Sequence, residues 1–243
     1  MLLRRFMKHV TDQNWLAVGI DLLVVIGGIF LGMQVTEWND ERKDRVLERA
    51  YLERLSDDLT HNIDVLQALT NFHTSTRRHM NDTAELLMAE RWDEDEHQRL
   101  IQQGFAWSAY PSAQLRMGTW EELVSTGRLS IIKDQELLTL LQQNDAVLDW
   151  ANGQIDYIRS TAIGWFDDFR EITVLKKLDD GEYVIRANFQ DVHNNENFVT
   201  KLLWATSRHA RTIGIRGEQM VTSQAANARI QCLLGTATCE SAQ

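Results

Sequence analysis

Residues 16–35 read LAVGIDLLVVIGGIFLGMQV, and only an aspartate and a glutamine interrupt this apolar run. At about 1.5 Å of rise per residue, a helix of this length covers the roughly 30 Å hydrocarbon core of a bilayer. Trp15 and Trp38 bracket the run, and tryptophan is enriched where membrane meets water. The sequence therefore predicts a transmembrane helix over residues 15–38 with these two tryptophans as interface anchors.

The apolar run follows a basic start, as the core of a secretory signal does. It is longer than the usual core of about 7–15 residues, and no small-x-small cleavage motif follows it, so we favour an uncleaved anchor over a cleaved signal. Three basic residues lie on each side of the span, but nearby acidic residues neutralise the second set more than the first. We therefore expect residues 1–14 in the cytoplasm and residues 39–243 outside it. The basic residues are Arg4, Arg5 and Lys8 before the span and Arg42, Lys43 and Arg45 after it.

One face of the predicted span combines an acid with small residues. At about 100° per residue, Ala17, Asp21, Gly28 and Gly32 lie within about 40° of one line. The small-x-x-x-small spacing of the two glycines allows close approach of another helix. Three interpretations of Asp21 stay open: a helix–helix contact, a carboxylate that reaches headgroup water, or a proton carrier. The third rests on the similarity of IDLLVVIGGIFL to the proton-carrying subunits of ion-driven stators.

Composition restricts the class of the remaining chain. The whole chain has a formal net charge of −10 and its first 35 residues carry +1, so the remainder carries −11. So acidic a domain is unsuited to a phosphate backbone, and we expect no nucleic-acid partner. A single proline in 243 residues favours long helices. The predicted fold class is mostly α: one N-terminal transmembrane helix, then a long amphipathic helix over about 40–72, then a helical-bundle domain of further helices to about residue 234.

Apolar residues recur every third or fourth position in the long helix. They are Leu52, Leu55, Leu59, Ile63, Leu66 and Leu69. This spacing fits either a coiled coil with a sister chain, in which Asn62 would occupy a core position, or packing against the chain's own domain.

Local signals place the later elements. We predict helices over residues 75–89, 119–127, from 134 to at least 150, 154–174 and 197–234, with a turn and at most a short strand pair over 179–189. Thr119 and Glu122 have capping-box spacing, Gly127 is a helix stop, and Asp134 is a helix cap.

No motif of a known catalytic class is present: H-E-x-x-H, G-x-S-x-G, Walker and dinucleotide-binding patterns do not occur. We therefore expect no enzyme activity, no cofactor and no metal. The run DEDEH at residues 93–97 is either a weak cation site or a solvated turn. Cys232 and Cys239 lack C-x-x-C spacing, and they form either a disulfide in an oxidising compartment or two thiols.

Two blocks of the sequence resemble a known family. LLVVIGGIFLGMQVTEWNDERKDRVLERAYLERLSDDL (residues 22–59) and TWEELVSTGRLSIIKDQELLTLL (residues 119–141) are similar to a bacterial membrane family catalogued as domain of unknown function 6090. The resemblance implies a helical protein anchored in the bacterial inner membrane, and it supplies no activity. This chain has Asp21 where the family has a glutamate early in the span.

These observations predict a membrane-anchored helical interaction or scaffold protein. Its partners would be the lipid bilayer and, through the face of Asp21, Gly28 and Gly32, a second copy of the chain or another membrane protein. The alternative is an accessory or proton-linked subunit of a membrane complex that uses Asp21.

Overall fold

The structure is a computed structural model that describes residues 15–89, 107–171, 173–186, 192 and 195–237. The mostly helical fold class is confirmed. The described elements are α1 (Trp15–Met88), α2 (Gly118–Ser125), a 3₁₀ helix (Arg128–Ile131), α3 (Gln135–Glu171), β1 (Val174–Lys177), β2 (Tyr183–Arg186) and α4 (Glu196–Leu234). The chain divides into two compact units, Met1–Ala50 and Tyr51–Gln243, so α1 contributes residues to both.

The described part of the first unit is the beginning of α1. Among the residues that the structure describes, α1 is the one helix long and apolar enough to cross a membrane, and its most apolar window is wholly unburied. Leu23 is 70% exposed and Phe30 is 60% exposed. This surface is apolar on every side, which is typical of a helix whose solvent is lipid.

Three long helical segments form the core of the second unit. Each buries residues at alternating spacings of three and four, or at seven where one position is skipped, which is the heptad pattern of helices that pack side by side. The buried positions include Leu52, Leu55, Leu59, Asn62, Leu66, His73, Thr76, Met80, Thr83 and Leu87 in α1; Leu137, Leu141, Asn144, Leu148, Ala151, Ile155, Ile158 and Ala162 in α3; and Leu202, Ala205, His209, Thr212, Arg216, Gln219, Ser223, Ala226 and Ile230 in α4.

Hydrogen bonds fix the directions of these helices. Along α3 and α4, Asp134 pairs with Arg229, Asn144 with Ser223, and Gln154 with Arg211, so the two helices are antiparallel. Along α1 and α4, Ser56 pairs with Asn227 and His73 with His209, which makes that pair antiparallel as well. In the second unit α1 and α3 therefore run in the same direction, and α4 runs opposite to both.

The leucines of α1 pack within their own domain. Leu52, Leu55 and Leu59 share a buried cluster with Leu137 of α3 and Ile230 of α4. Of the two alternatives for this stretch, packing against the chain's own domain is confirmed. These side chains are 2–5% exposed and have no surface left for a sister chain.

Two predicted helix breaks are absent. The sequence analysis begins a new helix near Ser75, but α1 continues without a break to Met88. The hydroxyls of Thr70 and Thr74 bond to carbonyls four residues earlier, so these polar side chains are satisfied within the helix. We also separated helices at residues 150–154, whereas α3 continues through Gly153. A glycine inside a helix lowers its stability by about 1 kcal/mol relative to alanine. The helix continues through Gly153 because the residues around this glycine at heptad positions are buried.

The predicted capping box of α2 is wrong. The residue before α2 is Met117, which makes no side-chain cap bond. Thr119 lies inside the helix and donates its backbone N–H (3.4 Å) and its hydroxyl (2.6 Å) to Oδ2 of Asp58 in α1. The N-terminus of α2 is therefore capped by a carboxylate from another helix, and Glu122 is left to bond elsewhere.

Other local predictions are confirmed. Gly127 takes a left-handed conformation (φ 69°) after α2, as expected of a helix stop. Asp134 caps α3, since its Oδ1 accepts the backbone N–H of Leu137 at 2.7 Å. The predicted strand pair exists and is antiparallel, with Val174 opposite Arg186, but its first strand lies before the predicted range of 179–189 and begins at the residue where the predicted helix ends.

Candidate functional site

The predicted membrane-face residues lie in α1. The helix includes Trp15, Ala17 and Asp21, but their side chains are outside the described part of the structure. Trp38 is 63% exposed. The structure therefore places these residues on one helix.

Gly28 and Gly32 lie on an open helix surface. A Cβ added at either position would meet no atom within 4 Å. The hydroxyl of Thr36, one turn beyond Gly32, bonds back to the Gly32 carbonyl at 3.0 Å, so the next polar group on this face is satisfied within the helix. The backbone at both glycines is accessible to an approaching helix.

The remaining sequence candidates are partly described. Cys232 is buried and disulfide-bonded. Cys239, its predicted partner, and the DEDEH run at 93–97 lie outside the described residues. The pairing of the two cysteines stays a prediction.

A set of polar side chains that we did not predict lies in the middle of the bundle. It consists of His73 from α1, Tyr110 from the irregular segment 107–117, and His209, Arg216 and Gln219 from α4. We call these five residues the polar layer. Their exposed fractions range from 0% to 4%. Apolar clusters lie on either side along the helices, so the layer is shielded from solvent.

Buried and half-buried polar side chains of the bundle, some of them in the polar layer, hold segment 107–117 in place. This segment has little regular structure and cannot pair its own backbone groups, so buried carbonyls must find side-chain donors. Those donors come from all three long helices. The bonds are His209 Nε2 to the Trp107 carbonyl (3.0 Å), Arg159 Nε to the Tyr110 carbonyl (2.9 Å), Arg216 Nη2 to the Pro111 carbonyl (3.2 Å), and a reciprocal pair between the Asn62 amide and the backbone of Arg116 (2.9 and 2.7 Å).

The two histidines have assignable tautomers. The Trp107 carbonyl can only accept, so His209 carries its proton on Nε2 and its Nδ1 is a bare acceptor. The 2.9 Å contact between the Nδ1 atoms of His73 and His209 then requires His73 to donate from Nδ1. Nε2 of His73 is left as a buried lone pair with no partner among the described residues.

Burial keeps the aromatic members of the layer neutral. It lowers the pKa of His73 to about 3, an effect that His209 and Arg216 reinforce, and it lowers the pKa of His209 as well. Burial also raises the pKa of Tyr110 to about 12. The Tyr110 ring stacks on His209 with 4.8 Å between ring centroids. At neutral pH these three rings carry no charge.

Arg216 is the charged member of the layer. Burial, with a smaller effect of Arg159, lowers its pKa to about 10, so the guanidinium stays charged at neutral pH. Its Nη1 donates to Oε1 of Gln219 at 2.9 Å. No carboxylate among the described residues pairs with it, although a buried cation without a partner costs several kcal/mol. Arg216 Nε, Gln219 Nε2 and Tyr110 Oη also have no hydrogen-bond partner in the described part of the chain.

A second polar cluster joins the two sequence blocks that carry the family resemblance. Glu122 accepts from Tyr51 Oη at 2.7 Å and from Arg54 Nη2 at 2.7 Å, and Arg128 donates to Tyr51 Oη at 3.3 Å. Arg54 and Tyr51 lower the pKa of Glu122. An open groove of about 730 Å³ lies beside this cluster, and acidic and basic residues both line it. The cluster connects α1 to α2 by hydrogen bonds. The charges that line the groove favour neither a cationic nor an anionic ligand.

Sequence reasoning missed the polar layer because it followed apolar residues. The signal that would have found it is spacing alone: His209, Arg216 and Gln219 continue the heptad positions that run from Leu202 to Ile230. A heptad pattern that is read without regard to polarity marks them as core residues.

Comparison with known proteins gives no match: no family model, no curated protein and no solved structure is similar to this chain. The kinship with domain of unknown function 6090 stays a prediction.

Proposed function

We propose that this chain is a membrane-anchored helical scaffold, a protein that holds an interaction domain at a membrane. The observation that carries the proposal is the continuous exposed apolar surface of α1 between residues 22 and 33. Burying apolar surface is worth about 25 cal/mol per Å², so a helix of this length with apolar side chains on all sides is costly in water. Lipid offers such a surface a matching environment.

The polar layer supports a binding or scaffold role for the second unit. Its histidines are 0% exposed, neutral and held by hydrogen bonds to each other and to the backbone. A catalytic acid or base must reach the substrate's proton directly or through one water molecule. Side chains enclosed in this way instead fix the bundle and segment 107–117.

We further propose that the membrane is the bacterial inner membrane, with the N-terminus in the cytoplasm and the large domain outside. The family resemblance supports the membrane, and the weakly neutralised basic residues before the span support the orientation. The disulfide-bonded state of Cys232 also supports an oxidising compartment.

A second copy of the chain is the partner we propose for the span. The accessible backbone at Gly28 and Gly32 supports this contact, because a partner helix could approach closely there.

Membrane fractionation tests the anchor. The parent protein should stay with the membrane after washing at high salt and at alkaline pH. Replacing Ile26 and Ile29 together by arginine should release it, since each charge at the centre of a span costs about 2.5–3.5 kcal/mol. Arginine at Val124, an exposed position on α2, is the matched control and should leave the protein bound. A parent protein that washes off would refute the anchor.

Fusions at the C-terminus test the orientation. Alkaline phosphatase fused after residue 243 should be active in a bacterial host, because it folds outside the cytoplasm, and a green fluorescent protein fusion should be dark. The reverse pair of results would overturn the orientation and leave the anchor intact.

A further inference from the structure

No carboxylate among the described residues compensates the charge on Arg216. Its guanidinium is 1% exposed, and two of its nitrogens are used on neutral acceptors, the Gln219 amide and the Pro111 carbonyl. Water or a neutral partner could accept a hydrogen bond from the remaining Nε–H, but only an anion would balance the charge. The same burial that removes the guanidinium from water strengthens its attraction to an anion.

The polar layer contains further donors. Gln219 uses its carbonyl oxygen on Arg216, and its Nε2 has no partner among the described residues. The hydroxyl of Tyr110, the residue before the Pro111 that Arg216 binds, has no described partner either. Together with Arg216 Nε–H, these groups make three kinds of donor that have no partner in the described part of the chain, beside one positive charge. The acceptors without a described partner include Nε2 of His73, whose ring stacks on Tyr110 with 5.7 Å between ring centroids.

We propose that the polar layer binds one small, singly charged inorganic anion as the counterion of Arg216. The anion is small because residues that are 0–4% exposed must enclose it. It is singly charged because a second negative charge would again leave the layer unbalanced. Chloride fits the donors alone, whereas hydrogencarbonate also carries a hydroxyl that can donate to His73.

Thermal unfolding of the full chain in a mild non-ionic detergent tests the site. At pH 8 and constant ionic strength, sodium gluconate, whose anion is too large to be enclosed, is replaced stepwise by chloride or by hydrogencarbonate. The Tm from far-UV circular dichroism should rise along a saturation curve. At ten times the Kd the folding equilibrium shifts about elevenfold, which is roughly 3–5 °C for a domain of this size. A response to hydrogencarbonate alone would identify the protonated oxyanion.

Three variants separate a site from a general salt effect. Arg216→Met should lose the response, and Arg211→Gln, an exposed arginine on the same helix, should keep it in full. Tyr110→Phe removes a hydroxyl without a described partner, so it should fold normally and bind the anion at least threefold more weakly. A Tm that stays constant in both replacement series, or one that rises equally in the parent and in Arg216→Met, would overturn the proposal. If Arg216→Met does not fold, Tyr110→Phe decides, and an unchanged Kd overturns the site.

The proposed anion site is independent of the proposed function. A soluble second unit would give the same titration in the absence of any membrane, and an anchored chain without the site would give a flat one.

Discussion

Lowering the pH from 8 to 5 should destabilise the helical bundle through His73. In the folded protein the pKa of this imidazole is about 3, because burial disfavours its charged form, and in the unfolded chain it is about 6.5. Between these two values the unfolded state binds one more proton than the folded state, so stability falls as the pH falls. The contribution of His73 is fully present above pH 6.5 and is lost progressively towards pH 3.

The magnitude follows from the distance between the working pH and the unfolded pKa. A pH of 5 lies about 1.5 units below the pKa of the imidazole in the unfolded chain. Each unit is worth about 1.36 kcal/mol, so the free energy of unfolding falls by about 2 kcal/mol. The folded ring contributes almost nothing to this difference, since pH 5 is still well above its own pKa. His73 is 0% exposed, which leaves little solvent to weaken the effect.

Urea unfolding of the parent and of His73→Asn at pH 8 and pH 5 measures this contribution. Asparagine can place an N–H donor where Nδ1 of His73 faces His209, and it cannot be protonated. The variant should lose about 2 kcal/mol less than the parent between the two pH values. Carboxylates whose pKa is lowered by arginine, such as Asp134, also lose stability in acid, but they are present in both proteins and cancel. An equal loss in the two proteins would refute the argument that His73 is buried as a neutral base.

Four further substitutions test separate structural features. Asn62→Ala removes both bonds to the Arg116 backbone and should cost about 2 kcal/mol, at roughly 1 kcal/mol per bond, which a lower midpoint of urea unfolding would show. An unchanged midpoint would mean that water replaces the amide. Gly127→Val should lower the Tm, because a β-branched residue is strained at φ 69°, by an amount of the order of 1–2 kcal/mol; an unaltered Tm would remove that argument. Gly28→Leu or Gly32→Leu should weaken cross-linking between copies in membranes by blocking backbone approach, whereas parental levels of cross-linking would indicate a lipid-facing surface.

The features that sequence reasoning found are those set by neighbours in the chain. The apolar repeat from Leu52 to Leu66 is visible because leucine at heptad spacing is itself the cause of the buried face. Asp134 and Gly127 were found because a helix cap and a left-handed stop depend on bonds within three or four residues. For such features both partners of the interaction lie within a few residues of each other in the sequence.

The features that sequence reasoning missed depend on residues that are far apart in the sequence. Thr119 had the spacing of a cap, but Asp58 supplies that bond from 61 residues away, and nothing local distinguishes the two. The heptad pattern of α1 was followed only as far as its leucines. It continues through His73 to Leu87, and the polar positions are tolerated because segment 107–117 and α4 provide their partners. A buried polar residue is recognisable only once its partner is known.

The polar layer also sets the register of the bundle. Heptad helices with uniform leucine cores can slide past one another by seven residues or exchange with the helices of a neighbouring molecule, because each layer resembles the next. In this protein a slip of seven residues along α4 would carry Arg216 away from the Pro111 carbonyl and His209 away from the Trp107 carbonyl. Chains held close together on a membrane would meet their sister helices at high local concentration. A core that accepts one alignment only should keep each chain folded on itself under those conditions, so that copies associate through their outer surfaces and not by swapping helices.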